Sequence, residues 1–553
     1  MSSNGDELLF LALGGTEEIG MNLNLYGIDD KWLMVDLGVS FGEDRLPGVD
    51  VVMPDPSYIE SRREDLLGLV LTHGHEDHLG AVQYLWPRLQ CPIYATPFAA
   101  ALLRSKLSET DFGEQVDIRE ISLGTRFRLG PFDLELITVT HSIPEPNALA
   151  IRTRLGTVLH TGDFKIDPTP LIGKQVDSDS LRKVGEEGVL AIVCDSTNVF
   201  EPGESGSEGL LRESLDEIIS GRDGRVAVTT FASNLARMET AGRVAINNDR
   251  HPVLVGRSLW RILDVARKSG YAKNFPDFLN ERDATQLPPN KVLLVCTGSQ
   301  GEPRGAMSRI AAGTHPQIHL ETGDLAIFSS KIIPGNERSI SRLHNRLVTL
   351  GVEVLTEKDA LVHVSGHPSR DELSKMYNWV RPKISVPVHG ERRHIAEHVV
   401  LARSLQIPEA VEVSNGALLR LAPGPAEIID YVKAGRLALD GNRVVSVESQ
   451  VLKERRRLMF NGMISVVLVI DSNRDLMSAP SVTTRGVFDD DKERCTASLV
   501  SDIEGAFNLV PKALRGDEDK LREAARLAIR RKIRRKHEIK PDISIDFVQL
   551  KAS

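Results

Sequence analysis

The chain begins as a succession of short apolar runs, each broken by Gly, Asp or His. Leu8–Leu13, Trp32–Asp36, Gly68–Thr72, Leu134–Thr140, Thr157–Thr161 and Val189–Cys194 are of this kind, and their length and punctuation predict β-strands. Between some of them apolar residues recur at helical spacing, over Leu79–Trp86 (where Pro87 is expected to stop the helix) and over Phe98–Leu107. From Glu201 to Leu350 the alternation continues with different strand ends. Arg225–Thr230 runs into Phe231-Ala232-Ser233-Asn234, Lys291–Cys296 into Thr297-Gly298-Ser299-Gln300-Gly301-Glu302, and Asp324–Phe328 into Ser329-Ser330-Lys331. Small polar turns like these expose backbone N–H groups and hydroxyls that can cradle phosphates, although taken singly most are only turns. Further strands, Leu361–Val364 and Ile384–Val388, end near histidines. The character changes at about Leu452: the basic Glu454-Arg455-Arg456-Arg457 precedes a strand over Met463–Ile470, and a helix over Asp517–Arg531 leads into the basic run Arg530–Lys536. The pattern predicts an α/β fold with sheets covered by helices, followed by a small α+β domain joined through a segment near Gly435–Gln450.

Length and composition narrow the class. At 553 residues the chain is long enough for several domains, and 41% hydrophobic with 26% charged residues is ordinary for a soluble protein. A net charge of -9 excludes a globally basic nucleic-acid binder, so any such partner needs a local basic surface. Cys91, Cys194, Cys296 and Cys495 are scattered without a C-x-x-C pair and read as small buried hydrophobes in a reducing compartment. Met1–Leu13 lacks the basic start of a signal peptide, and Met463–Ile470 is too short to span a bilayer, so the expected location is cytoplasmic, with no membrane partner.

The chemistry concentrates in His73-Gly74-His75-Glu76-Asp77-His78, directly after a strand. Imidazole and carboxylate are the ligand set for zinc or manganese. In an extended segment His73 and His75 point to the same side, and a turn after Glu76 can swing Asp77 and His78 to a second ion. Other candidates also stand at strand ends: His141, Asp163 in His160-Thr161-Gly162-Asp163, and His389 in Pro387-Val388-His389-Gly390-Glu391.

This series, His73 to His78, then His141, then Asp163, resembles the motifs of the metallo-β-lactamase fold. Asp195 in Cys194-Asp195-Ser196-Thr197-Asn198, His367 in His363-Val364-Ser365-Gly366-His367, and His389 resemble the added motifs of the β-CASP nucleases. Gly14-Gly15-Thr16-Glu17-Glu18-Ile19-Gly20, His141-Ser142-Ile143-Pro144, the Phe231–Asn234 and Thr297–Glu302 turns and Pro334-Gly335-Asn336 are similar to those of bacterial ribonuclease J. The resemblance implies a metallo-β-lactamase αββα sandwich split by an inserted α/β β-CASP domain, with a small α+β C-terminal domain. Its expected division is 1–200 and 351–434 for the metallo-β-lactamase domain, 201–350 for the β-CASP domain, 435–451 for a linker and 452–553 for the C-terminal domain.

The resemblance also implies roles. His73, His75 and His141 should hold one metal ion, Asp77, His78 and His389 the other, and Asp163 should bridge them. Two Zn2+ are expected, with Mn2+ or Mg2+ also compatible with activity. Water activated by two cations should attack phosphorus, with His367, linked to Asp195, as the acid for the leaving 3′-oxygen. Phe231, Ala232 and Ser233 on one side, and His363, Val364, Ser365, Gly366 and His367 on the other, should bind the phosphates. The His363-x-Ser365-x-His367 alternation would aim its polar groups one way if extended. The implied activity is a 5′→3′ exoribonuclease that prefers 5′-monophosphate RNA, with endonuclease activity compatible, in mRNA turnover and rRNA maturation. A homodimer or homotetramer through the C-terminal domain and RNA-degradation partners follow from the same resemblance. Gly48, Asp50 and Asp440 are similar to a structural Ca2+ site of some relatives and equally fit plain turn residues. The run Arg530–Lys536 fits RNA phosphates, a solvated helix face or a subunit contact. Lys331-Ile332 depart from the Ser-Pro of many relatives in a phosphate-lining loop, which bears on product handling. The alternatives are a small-molecule hydrolase of the same fold, which would lack Asp195, His367 and His389; a β-CASP nuclease acting on DNA; and a non-catalytic RNA-binding subunit, which the intact ligand set opposes.

Overall fold

A computed structural model of the chain describes residues 6–42, 45–489 and 491–550. The first five residues of the N-terminal stretch read above lie outside it, as does the side chain of Lys536. By compactness the chain falls into two units, one of residues 1–41 and 51–437, the other of residues 42–50 and 438–553.

The larger unit is built on two sheets packed face to face. One has eight strands and includes Leu8–Gly14, Leu23–Ile28, Lys31–Val35 and β1 (Leu66–Val70). The other has seven and includes β2 (Phe132–Thr138), Asn147–Thr153, β3 (Gly156–His160), β4 (Ala191–Asp195) and Ile384–Val388. Side chains alternate along a strand. In β4, Ala191 and Val193 therefore join Phe10, Tyr26 and Val70 in the core between the sheets, while Ile192 and Cys194 face helices on the outside. Strands buried on both faces read as unbroken apolar runs, which is why the sequence marked them clearly. The β3–β4 and β4–Ile384–Val388 pairings are parallel, so the ends of these strands, where Asp163, Asp195 and His389 follow, lie along one sheet edge. Helices α1 (Glu76–Leu79) and α2 (Val82–Leu89) follow β1. Pro87 does not stop α2, contrary to expectation. It forfeits only the bond to the Gln83 carbonyl, and the helix ends at Gln90, which takes left-handed backbone with φ +52°.

Between β4 and Ile384–Val388 the chain builds a separate parallel five-stranded sheet, with β5 (Val226–Thr229) at its centre between β6 (Val292–Cys296) and β7 (Leu325–Phe328). Helix α3 (Leu235–Asn247) follows β5, and the polar turns read from the sequence all emerge at the carboxyl edge of this sheet, the usual ligand side of a parallel sheet. The chain then returns through an irregular segment to helix α4 (Arg370–Val380). No strand forms over Leu361–Val364: Val362 and Val364 are buried, but by packing of an irregular segment, not in a ladder.

The segment expected as a linker, 435–451, is not irregular. It holds strands Arg436–Asp440 and Arg443–Ser446 and the start of a helix, Gln450–Asn461, because Leu437, Ala438 and Leu452 are buried. Beyond it, Met463–Ile470 is the central strand of a three-stranded sheet between Ser481–Arg485 and Asp542–Gln549. Alternate residues of that strand pack on helices Lys492–Asn508 and Glu518–His537. The second helix continues through the basic run: Ile529 and Ile533 are core, and Arg530, Arg531, Arg534 and Arg535 face solvent. All four cysteines are buried. Among the described residues no helix is long and apolar enough to cross a membrane.

Candidate metal centre and nuclease site

After β1 the backbone bends at Thr72 and Gly74 and is extended at His75, and Glu76 starts α1, so His73 and His75 precede the helix and Asp77 and His78 lie on it. His141 follows β2, Asp163 follows β3, and His389 follows Ile384–Val388 with its backbone in the left-handed region at φ +54°. The structure brings all seven together. Donor atoms of His73, His75, His141 and Asp163 lie within 4.8 Å of one another, as do those of Asp77, His78, Asp163 and His389.

Hydrogen bonds outside the cluster decide which ring nitrogen faces inward. Asp36 Oδ2 is 2.7 Å from His78 Nδ1, and the Gly366 carbonyl is 2.5 Å from His141 Nδ1. Asn22 donates to the Asp77 carbonyl at 3.0 Å, which turns its Oδ1 toward His389 Nδ1, also at 3.0 Å. Thr72 donates to Asp36 and so receives its bond from His73 Nδ1 at 3.0 Å. Each contact places a proton on Nδ1 and leaves Nε2 as a lone pair aimed into the cluster. His75 is the exception and presents Nδ1, which lies 3.1 Å from His73 Nε2 and 2.9 Å from His141 Nε2.

Three unprotonated nitrogens at these separations repel unless a cation lies among them, and His389 Nε2 is buried without a hydrogen-bond partner. Asp163 Oδ2 stands 3.1 Å from His78 Nε2, 3.5 Å from His389 Nε2, 3.8 Å from His141 Nε2 and 3.9 Å from His73 Nε2. The donor set therefore fits divalent metal on both sides of one carboxylate. Electrostatics agree for the first group of donors. Burial holds His73 and His141 well below the usual imidazole range and His75 at about 4, so these rings are neutral, as ligands must be. Burial also acts against a charge on His78, but Asp163, Asp77 and Asp36 outweigh it and raise it. Burial would raise Asp163, yet His389, His78 and His367 hold it well below the carboxylate range.

Next to this cluster, Asp195 Oδ2 lies 2.8 Å from His367 Nδ1. Burial disfavours the charged ring, but Asp195 and then Asp163 raise it to about 9. Asp195 also receives Thr197 N–H and Oγ–H, so its turn-capping role and its contact with His367 coexist. Asp195 and His367 form a third cluster with Asp163 and His389, but share those two residues with the second metal position.

The segment His363–His367 is not extended, so its polar groups do not align as the alternation suggested. Ser365 Oγ receives the His367 N–H at 3.1 Å in a bend, and Val364 is buried. His363 lies against fully buried Arg237, 3.5 Å from Nη1, and burial followed by Arg237 keeps its ring neutral. Phe231, Ala232 and Ser233 lie half-buried at the N-terminus of α3, which Asn234 caps. Arg237, which lies against His363, is on the first turn of the same helix.

Three supporting residues, Asp36, Asn22 and Arg237, escaped the sequence reading, and Gly366, read as phosphate-binding, instead places its carbonyl against His141. Asp36 was legible as a strand end, but nothing local marks its partner. The residues read as a calcium site do not fit one. Both Asp440 oxygens are engaged, Oδ1 by Arg455 at 2.5 Å and Oδ2 by Arg443 at 2.9 Å, and Gly48 faces the Arg455 guanidinium. A guanidinium already supplies the positive charge that Asp440 would offer to calcium.

Comparisons with known proteins identify the family. Residues 22–229 match the metallo-beta-lactamase superfamily, 223–347 the ribonuclease J beta-CASP domain, 335–409 the Zn-dependent metallo-hydrolase RNA specificity domain, and 450–550 the ribonuclease J C-terminal domain. Ribonuclease J of Sinorhizobium meliloti is 45% identical over 95% of this chain and 94% of its own length. Ribonuclease J of Corynebacterium glutamicum is 37% identical over 96% and 73%, and ribonuclease J 1 of Streptococcus pyogenes 38% over 88% and 87%. A solved Enterococcus faecalis protein of unknown function shares the fold alone, with a TM-score of 0.52 and 16% identity over 75% of this chain and all of its own. The chain is a metal-dependent nuclease hydrolase acting on RNA, and it belongs to the ribonuclease J family.

Proposed function

We propose that the chain removes nucleotides from RNA in the 5′→3′ direction, preferring a 5′-monophosphate end, and also cuts internally. Two zinc ions, replaceable by manganese or magnesium, are its working metals. His73, His75 and His141 would hold one, Asp77, His78 and His389 the other, and Asp163 would bridge them. The observation that carries this is the single Asp163 oxygen within 3.1–3.9 Å of imidazole nitrogens from both groups. When bound, the cations supply Lewis acidity and lower the pKa of water enough for it to attack phosphorus at neutral pH.

The chain's own residues do the rest. Asp195 holds the proton on His367 Nδ1 and leaves Nε2 to protonate the leaving 3′-oxygen. The hydroxyl of Ser365 and the neutral ring of His363 bind the neighbouring phosphates. The Phe231–Ser233 turn offers backbone N–H groups at the positive end of α3 to a terminal 5′-monophosphate. Catalysis in mRNA turnover and rRNA maturation, in a homodimer or homotetramer through residues 452–553, belongs to the same proposal. The strand Asp542–Gln549 is an edge of its sheet, and Val548 and Leu550 are exposed there, a surface suited to pairing with a second copy.

The test compares one RNA carrying 5′-triphosphate, 5′-monophosphate or 5′-hydroxyl. The monophosphate should release mononucleotides fastest. Equal release from all ends would overturn the pocket assignment.

A further inference from the structure

Lys331 lies in the turn after β7. Its ammonium is 2.8 Å from Glu201 and 3.0 Å from Asn198 Oδ1. Asn198 is buried, and its amide nitrogen donates to Ser365 Oγ at 2.7 Å and to the His367 carbonyl at 3.1 Å. These contacts form one chain from the inserted sheet to the phosphate side of the site.

Its logic lies in the donor inventory. An ammonium can only donate and a carbonyl can only accept, so Lys331 and the His367 carbonyl together fix the Asn198 amide with oxygen toward Lys331 and NH2 toward Ser365. Ser365 Oγ then accepts from both Asn198 Nδ2 and His367 N–H. A hydroxyl with both lone pairs engaged has only its O–H left, and it must donate. A flipped amide would place an oxygen against Ser365 and draw that hydrogen inward.

We propose that Lys331 is a positioning residue: through Asn198 it commits the Ser365 hydroxyl to donate to the substrate phosphate and steadies the backbone carrying His367. The inference rests on the reading of Ser365 as a phosphate-binding group. Glu201 holds the lysine in place, and the side chain is 39% exposed, which leaves it able to adjust as RNA enters.

The experiment is steady-state hydrolysis of a 5′-monophosphorylated oligoribonucleotide by the full-length, zinc-loaded chain. Lys331→Met should lower kcat/KM about tenfold, the effect of losing one charge-assisted hydrogen bond. Lys331→Arg, still only a donor, should stay within about twofold. Lys331→Glu, only an acceptor, should be the most impaired. In an Asn198→Ala background the three variants should become equal, since the residue they act through is gone.

Wild-type rates in Lys331→Met would overturn the inference, and so would losses that add in full to that of Asn198→Ala. A fall of about 0.7 in the salt slope that persists without Asn198 would mean direct phosphate contact and would also overturn it. If the wild-type chain cleaves RNA and the variants match it, this inference alone fails. If the zinc-loaded wild type leaves every RNA intact, the proposed function fails and takes this inference with it.

Discussion

The imidazoles would be able to hold metal because other residues settle their tautomers. Asp36 is the strongest of these: it is fully buried and receives Thr72 N–H and Oγ–H as well as facing His78. Asp36→Asn keeps the shape but can present an NH2 to His78 and lose the correct tautomer. Zinc affinity, measured by competition with a chelating dye, should fall about 10- to 100-fold; unchanged affinity would remove Asp36 from this role. His75→Ala and Asp77→Ala should each abolish hydrolysis while RNA binding, followed by fluorescence anisotropy, largely survives; full activity in either would break the ligand assignment. The clustered donors were legible as candidates because they crowd into one short segment or close a strand. Asp36 and Asn22 were not, since their partners are 42 and 367 residues away in sequence.

A second residue carries a pH signature. Glu18 is raised to about 7 by burial, against the opposing effects of Asn415, Arg436 and the Gly15 N–H, with Glu17 adding slightly to the rise. Ionising it is therefore harder in the folded chain than in the unfolded one. Its contribution is most favourable below about pH 4.5, declines through pH 4.5–7 and is constant above. Glu18→Gln removes this penalty. The variant should gain stability over wild type as pH rises from 5 to 7.5, by at most about 3 kcal/mol. Thermal melts at both pH values check it, and a pH-independent difference would show that Glu18 has no raised pKa.

Among elements, α4 does more than cover the sheet. Its N-terminal Glu372 is fully buried and accepts Ile166 N–H at 2.7 Å, Ser205 N–H at 2.8 Å and Ser369 N–H at 2.8 Å. These donors belong to the segments that follow Asp163, Asp195 and His367, so one carboxylate ties together three site segments. Glu372→Ala strands those donors and should destabilise the chain by about 3 kcal/mol. It should also loosen the site, read as lower zinc occupancy and a lower midpoint in urea. A variant with wild-type midpoint and occupancy would show that the loops hold themselves. The strands of both large sheets were legible because burial on two faces makes apolar runs. Leu361–Val364 misled for the same reason: Val362 and Val364 are buried too, but in a segment whose backbone bonds go to side chains such as Ser329 and Arg237. Residues 435–451 misled in the opposite sense, since short strands with few apolar positions resemble a linker.

At the scale of the whole chain, composition said little, and the two compact units were visible only as a change of character near Leu452. Yet the division has a thermodynamic consequence. All the metal donors lie in the unit of residues 1–41 and 51–437, whereas the other unit has its own core around Ile464, Val466, Leu499 and Ile529. A ligand that binds only folded protein stabilises by about 2.7 kcal/mol at a hundredfold excess over Kd and about 4.1 at a thousandfold. In the metal-free chain the lone pairs of His73, His75 and His141 also oppose one another at about 3 Å, a strain that cation binding relieves. Calorimetry of the full chain should therefore show that chelation abolishes RNA hydrolysis and lowers the transition of the larger unit by several degrees, and that added zinc restores both. The transition of the smaller unit should hold its position, and calcium should not move it, because Arg455 already neutralises Asp440. An equal shift of both transitions would mean that the metal-dependent cooperativity extends across the chain, and a calcium-dependent rise confined to the smaller unit would mean that Arg455 yields its place to the ion.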